Sequence, residues 1–499
     1  MPAPESHSEP GRTTATGPTS ALDDVAGGES ELLNRRTLNS ILVTIVLHAI
    51  ALIVLASIAL PTKLSEEVFS LLVPFGADEP ELEPSVDVVV QPEELIDGTS
   101  DDAAASVDAT NIAELPTPIV ADFDDQKLAA AMSLAEAESI VTTLRGDFGG
   151  RSEKGKLAAV RKFGGTANSE RAVQLGLRWL ASIQAKDGSW DFAEVGNANG
   201  AGSLSNGQMG ATGMALLCYL GAGHTHASKT EYAPNVASGL KYLIKNTKVI
   251  SKEADLRGGA TGNGGMYIQG IATIALCEAH ALTRKRNEDK ALKATAQAAM
   301  RFIEAAQDKG GGWRYRPRTP GDTSVVGWQV MALKSGQAAK LRVDRTTFSN
   351  VHRFLTSVQT SNGANYGYTA QQPNRPGTTA IGLLCRMYMG WKRDRKGMAE
   401  GVAFLSKRGP ARDDSYYNYY AAQVLHHWGG AEWKRWNDQL RPQLVEAQVR
   451  QGPATGSWNP VDRHAGQGGR IYETALSIMT LEVYYRHLPL YRKIATSAE

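Results

Sequence analysis

Apolar residues recur at three- and four-residue spacing through the C-terminal two-thirds of the chain. Between 299 and 336, Met300, Ile303 and Ala306 fall on one helical face, with Phe302 beside it. Gly310, Gly311 and Gly312 cannot continue that helix and predict its stop. Trp313 follows at once, a large ring on a turn of the kind that plugs a gap between units. Asp322 to Ser324 offer N-caps for a second helix. The unit is a helical hairpin with a tryptophan stopper, and it recurs. Residues 172–190 carry Trp179, Leu180, Gln184, Gly188 and Trp190; residues 351–368 carry Phe354, Leu355, Gln359, Gly363 and Tyr366. Weaker copies begin near Val236, Gly397 and Arg441, the last with Gln451, Gly456 and Trp458. A period of roughly 40–65 residues with two helices per unit describes a helical array. About six such hairpins can close into an all-α ring, an α/α toroid, in which each unit buries its apolar face on its neighbours.

The stretches Trp179-Leu180…Gln184…Gly188…Trp190 and Phe302-Ile303…Gln307…Gly311…Trp313 resemble the QW motif of squalene-hopene cyclases. That superfamily includes the protein prenyltransferases, and the resemblance implies an α/α toroid over about 170–488. It implies little about chemistry, because the motif is structural. The segment Gly468-Gly469-Arg470-Ile471-Tyr472-Glu473 resembles segments in membrane-anchored, squalene-cyclase-like repeat proteins of planctomycete bacteria.

The hydropathy pattern changes towards the N-terminus. Residues 1–34 are polar and without apolar period, a disordered leader. Arg35-Arg36 precede an apolar stretch, 41–60, broken only by Thr44, His48 and Ser57. About 20 such residues span the roughly 30 Å hydrocarbon core of a bilayer, so 35–62 reads as one transmembrane anchor, uncleaved because a long acidic leader is unlike a signal peptide. Basic residues before it and Glu66-Glu67 after it put the N-terminus in the cytoplasm and the toroid outside. His48 lies mid-span, one turn from Thr44, on a face similar to the Ser/His face of energy-transducing TonB anchors. That implies an inner-membrane partner; an imidazole bonded to backbone or packed on a helix is the plainer alternative. Residues 63–150 form a Pro-punctuated acidic linker with one helical pattern over 122–145, and 151–499 is the toroid.

Charge divides along the same boundary. Residues 1–150 hold 6 Lys/Arg against 26 Asp/Glu, leaving 47 against 26 in the remainder, so the net +1 conceals about −20 and about +21. A basic toroid suits an anionic ligand, to which Arg314-Tyr315-Arg316 and the 392–396 run would contribute; the acidic linker folding back is the alternative. The predicted topology makes nucleic acid the least expected of the anionic ligands. Cys218, Cys277 and Cys385 sit at matching places in second helices and read as small core residues.

If the second helices line the ring interior, their starts converge on one mouth. Asp322, Trp328, Asp413, Asp414, Tyr416, Tyr420, Arg470, Tyr472 and Glu473 belong to those starts and form the candidate ligand site. Gln184, Trp190, Gln307, Trp313, Gln359, Tyr366, Gln451 and Trp458 are the structural residues of the repeat. The Asp-x-Asp-Asp motif of the cyclases is absent; Asp413-Asp414 is a bare pair that could equally be an N-cap and a solvated neighbour. The prenyltransferase zinc set is absent, and His224-x-His226 and His426-His427 read as surface rather than metal ligands. No cofactor or metal is expected. The leading expectation is a binding or scaffold toroid. An enzyme acting on an isoprenoid, and an acidic-polysaccharide lyase or binder, are the alternatives.

Overall fold

The structure, a computed structural model, describes residues 148–260, 263–284, 289–487 and 490. The leader, the span at 41–60 with His48, and the linker with its 122–145 pattern lie outside these residues. No helix among the described residues is long and apolar enough to cross a membrane.

After a short helix, α1 (Glu153–Phe163), the described residues run as six hairpins. The first helix of each is outer: α2 (Ala167–Ser182), α4 (Ala233–Lys245), α6 (Lys290–Ala305), α8 (Arg345–Val358), α10 (Lys396–Arg408) and α12 (Gly430–Ala447). The second is inner: α3 (Gln208–Gly221), α5 (Gly265–Thr283), α7 (Thr323–Ala338), α9 (Pro376–Tyr388), α11 (Ser415–Trp428) and α13 (Ala465–Leu481). Here α4 pairs backwards with α3 and forwards along the wall, so each inner helix packs on the next in the order α3, α5, α7, α9, α11, α13 and back to α3. A final turn, α14 (Val483–Arg486), follows. Two small antiparallel ribbons interrupt the all-α pattern. They are β1 (Lys248–Ile250) with β2 (Glu253–Asp255), and β3 (Gln359–Thr360) with β4 (Asn365–Tyr366).

The inner and outer helices differ as their places require. In α6, Leu292, Ala296, Ala299, Met300 and Ile303 are buried on one face and the other face meets water. In α7 every residue from Thr323 to Leu333 is buried, because the helix is covered by the outer wall on one side and by the ring interior on the other. Capping fixes the starts: Asp322, Asp344, Asp289 and Asp414 each accept backbone N–H bonds at the head of their helices.

The repeat motif is a clamp between neighbouring outer helices. Gln184 Nε2 donates to its own turn at Gly188 O (2.9 Å) and to Asn235 O on α4 (3.0 Å). Gln307 Nε2 does the same to Gly311 O and to Thr347 O on α8, both at 3.0 Å. Trp190, Trp313 and Trp458 are buried, and each indole N–H donates to a carbonyl of the preceding outer helix at 2.7 Å. Gly188, Gly311 and Gly456 have φ of +89°, +93° and +92°. A Cβ on Gly311 would stand 1.9 Å from Asn350 O on the next helix, so the turn requires glycine twice over, for its dihedral and for the close approach.

Three details depart from the sequence reading. Helix α6 ends at Ala305, so the three glycines form the clamp's turn and do not stop the helix. In the last unit the clamp residue is Gln448, not Gln451: Gln448 bridges Trp458 in an antiparallel pair, while Gln451 is exposed three residues on. The loop before Trp458 is longer than in the other units, and counting back from the tryptophan therefore lands on the wrong glutamine. In the 351–368 unit, Arg386 replaces the neighbouring backbone as partner. It donates to Gln359 Oε1 (2.9 Å) and Tyr366 Oη (3.2 Å), and tyrosine stands where the other units have tryptophan.

Aromatic side chains cross the ring's interior. Trp328 on α7 stacks on Tyr419 of α11 (centroids 5.8 Å apart), although α9 separates those two helices around the ring. Tyr420 meets Trp328 edge-on at 6.0 Å. At the far end Arg486 and Arg151 both pair with the buried Glu278, at 3.1 and 2.8 Å. These attractions hold Glu278 ionised, below its ordinary range, against the opposing effect of burial. In such a buried triad, losing one partner is costly because it leaves a charge uncompensated. Cys218, Cys277 and Cys385 are buried thiols of inner helices.

Candidate functional site

The starts of α5, α7, α11 and α13 meet at one end of the ring. Tyr267 Oη shares a 2.5 Å bond with Ser324 Oγ, which donates to Asp322 Oδ1 at 2.7 Å. Tyr416 Oη accepts from Trp328 Nε1 at 3.0 Å and donates to Ser324 O at 3.2 Å. The Tyr416 backbone N–H donates to Asp462 Oδ2 (2.9 Å), and the Asp462 N–H to Glu473 Oε2 (3.3 Å). Ser415 Oγ donates to the other Glu473 oxygen. One hydrogen-bonded net thus joins Tyr267, Asp322 and Ser324 to Tyr416, Asp462 and Glu473. The tyrosines Tyr267, Tyr315, Tyr368, Tyr416 and Tyr472 keep part of their surface open to solvent.

Burial sets the ionisation of this net. Asp322 is raised by desolvation, offset in part by its cap bonds, the Tyr368 hydroxyl and Arg314. Asp462 is raised chiefly by burial. Glu473 is pushed up to about 7 by burial, with the charges of Asp462 and Asp414 adding to it. Tyr416 and Tyr472 move further above their ordinary value, again by burial first. Near neutral pH the net therefore offers phenol hydroxyls and a carboxyl that can hold or release a proton.

Of the residues expected at the mouth, Asp322, Trp328, Tyr416, Tyr420, Tyr472 and Glu473 lie together. Asp414 is an N-cap, accepting from Tyr417 N at 2.9 Å and pairing with Arg463. Asp413 is exposed. Arg470 is not available to a ligand: it is 1% exposed, and its guanidinium is taken up by Asn199, Ser457, Trp458 O and Asn459. These bonds tie the loop before α3 across the ring closure, beside the backbone break at Gly469 (φ 55°, ψ −147°). Nor are His426 and His427 surface residues; they are 1% and 2% exposed, on α11, with His426 against Trp433 of α12 and His427 against His487. No group of three or more His, Cys, Asp or Glu among the described residues could hold a metal.

Sequence reasoning missed Asp462, Ser324 and Ser415. Asp462 follows Trp458 in an irregular loop with no periodic signal; Ser324 was legible as an N-cap candidate and Ser415 as the residue after a candidate cap, neither as part of a site.

No family model and no curated protein matches the chain. Among solved structures it is similar to an inactive variant of the α-1,6-mannanase GH76A of Salegentibacter sp. HEL1_6, in complex with α-1,6-mannotriose. The TM-score is 0.45 and the identity 9%, over 64% of this chain and 98% of that one. It is also similar to the type II terpene cyclase MstE from Scytonema in its apo form, with TM-score 0.44 and 13% identity over 64% of this chain and 97% of that one. Likenesses this distant carry nothing about activity.

Proposed function

We propose that the chain is a membrane-anchored toroid that binds a polar, hydroxyl-rich ligand, such as an oligosaccharide, at its tyrosine mouth. The supporting observation is the stack of Trp328 on Tyr419 across the ring. It sets two aromatic rings across the interior, in the place where a cyclase would have to enclose an isoprenoid. What stays open is a rim of phenol rings, whose faces suit sugar C–H surfaces and whose hydroxyls suit sugar oxygens. The anchor at 41–60 would hold this mouth outside the cytoplasm, and a reporter fused after Gly150 should be active only in an extracytoplasmic format.

Ligand-observed NMR of the full chain in detergent tests the ligand class. Oligosaccharides should show saturation transfer that is weakened by Tyr416→Phe and Tyr267→Phe. Binding of a polyprenyl alcohol, with no response to any saccharide, would overturn the reading in favour of an isoprenoid site.

A further inference from the structure

Beside the mouth, the loop from Trp313 to Asp322 encloses a cleft of about 380 Å³, lined by Asn263, Arg314, Tyr315, Arg316, Thr319 and Pro320. The loop is held at both ends and in its middle. Asp322 N donates to Trp313 O (2.9 Å), Arg318 N to Ala306 O (2.8 Å), and Met266 N to Tyr315 O (3.2 Å). Gly312 and Gly321 lie back to back, with no room for a Cβ on either. The cleft is thus formed before any ligand arrives, and little ordering free energy is lost on binding.

Its charge is positive and positioned. The Arg314 guanidinium lies over the rings of Tyr315 (5.4 Å) and Tyr368 (5.8 Å), whose hydroxyls share a 2.6 Å bond. Its side chain is 39% exposed. The nearest carboxylate, Asp322, is 3.8 Å from Nε, too far to hydrogen-bond, and its Oδ1 is already occupied by the cap. Asp322 therefore holds Arg314 only loosely, and Arg314 lines the cleft. Arg316 brings a second guanidinium to the same lining. Tyr315 joins the cleft to the mouth, its ring 6.2 Å from that of Tyr267.

We propose that this cleft is an anion subsite, in which Arg314 and Arg316 take a carboxylate or phosphate group of the ligand whose polar body lies on Tyr315 and the mouth. The assignment rests on the mouth being a ligand site for its saccharide half, and on the cleft alone for its anionic half. Guanidinium recognises either group through paired N–H donors, so a uronic acid and a sugar phosphate are the two sources to separate.

Calorimetry on the full chain separates them with three probes: tetragalacturonate, its neutral methyl ester, and inorganic phosphate. The expected result is that the acid binds at least ten-fold more tightly than the ester. Arg314→Gln and Arg316→Gln should each remove that advantage while leaving ester binding unchanged, and Arg353→Gln on an outer helix should do neither. If only phosphate binds, and both cleft variants weaken it, the subsite stands and the saccharide reading of the mouth fails. If acid and ester bind equally, or neither arginine matters, the subsite is overturned while the mouth reading survives. Binding of none of the probes overturns both.

Discussion

Gln448 Nε2 donates to Ala172 O at 2.8 Å, joining the last outer helix to the first across 276 positions of sequence. The same nitrogen donates to Gly456 O at 2.8 Å. This is the geometry by which Gln184 and Gln307 join consecutive helices, so the bond that closes the ring is the bond that builds it. Gln448→Ala should destabilise the protein by about 2 kcal/mol, because two buried carbonyls lose their donor. Gln451→Ala should change stability by less than about 0.5 kcal/mol. Denaturant titration of the two variants decides between the glutamines.

Gly311→Ala should be more damaging than its size suggests. It places a Cβ at φ +93° and against Asn350 O. A loss of about 1–3 kcal/mol is expected, with Gly452→Ala as a control, since its φ is also positive but nothing lies within 4 Å. Thermal unfolding of both separates dihedral strain from collision.

Trp313→Ala should cost about 3–5 kcal/mol, through the cavity and the lost indole bond to Ile303 O. Trp313→Phe should recover most of the packing and leave only the missing bond. Equal losses in the two variants, measured by chemical denaturation, would assign the residue's role to the hydrogen bond.

Glu473 gives a signed pH dependence. Its folded pKa of about 7 lies above the ordinary 4.5, so the folded state keeps a proton that the unfolded state releases. Stability from this group therefore falls as pH rises from about 4.5 to about 7, and Glu473→Gln should shrink that fall by about 2 kcal/mol. Unfolding measured at pH 5 and pH 8 for both proteins tests it.

His427 works in the opposite direction. Burial, with His426 beside it, holds its folded pKa well below 6.5, and neither ring nitrogen has a hydrogen-bond partner. It packs edge-on against Tyr388, 5.7 Å between centroids. Stability should fall as pH drops below about 6.5, where the unfolded imidazole takes up a proton. His427→Phe should lessen the loss between pH 6.5 and pH 5, read as a smaller shift in melting temperature.

The hairpins were legible because a buried helix face and a turn are local facts. The 3.6-residue period, the capping aspartates and the Gln-Gly-Trp spacing are each written within about twenty positions, and together they determine the repeat, its inner and outer helices and most of its clamps. Partners brought by closure are not local. That Gln448 and not Gln451 closes the ring depends on a loop whose length breaks the spacing. That Arg470 holds Asn199 depends on the first and last units lying side by side. That Trp328 meets Tyr419 depends on the ring being narrow enough for side chains to cross it. Asp462 was hidden for a different reason: its partners lie in its own and the adjacent hairpin, but it comes from an irregular loop with no period to announce it. The sequence determined which segments could pack; only ring closure decided which polar groups would be used up by neighbouring backbone and which would remain open at the mouth and the arginine cleft.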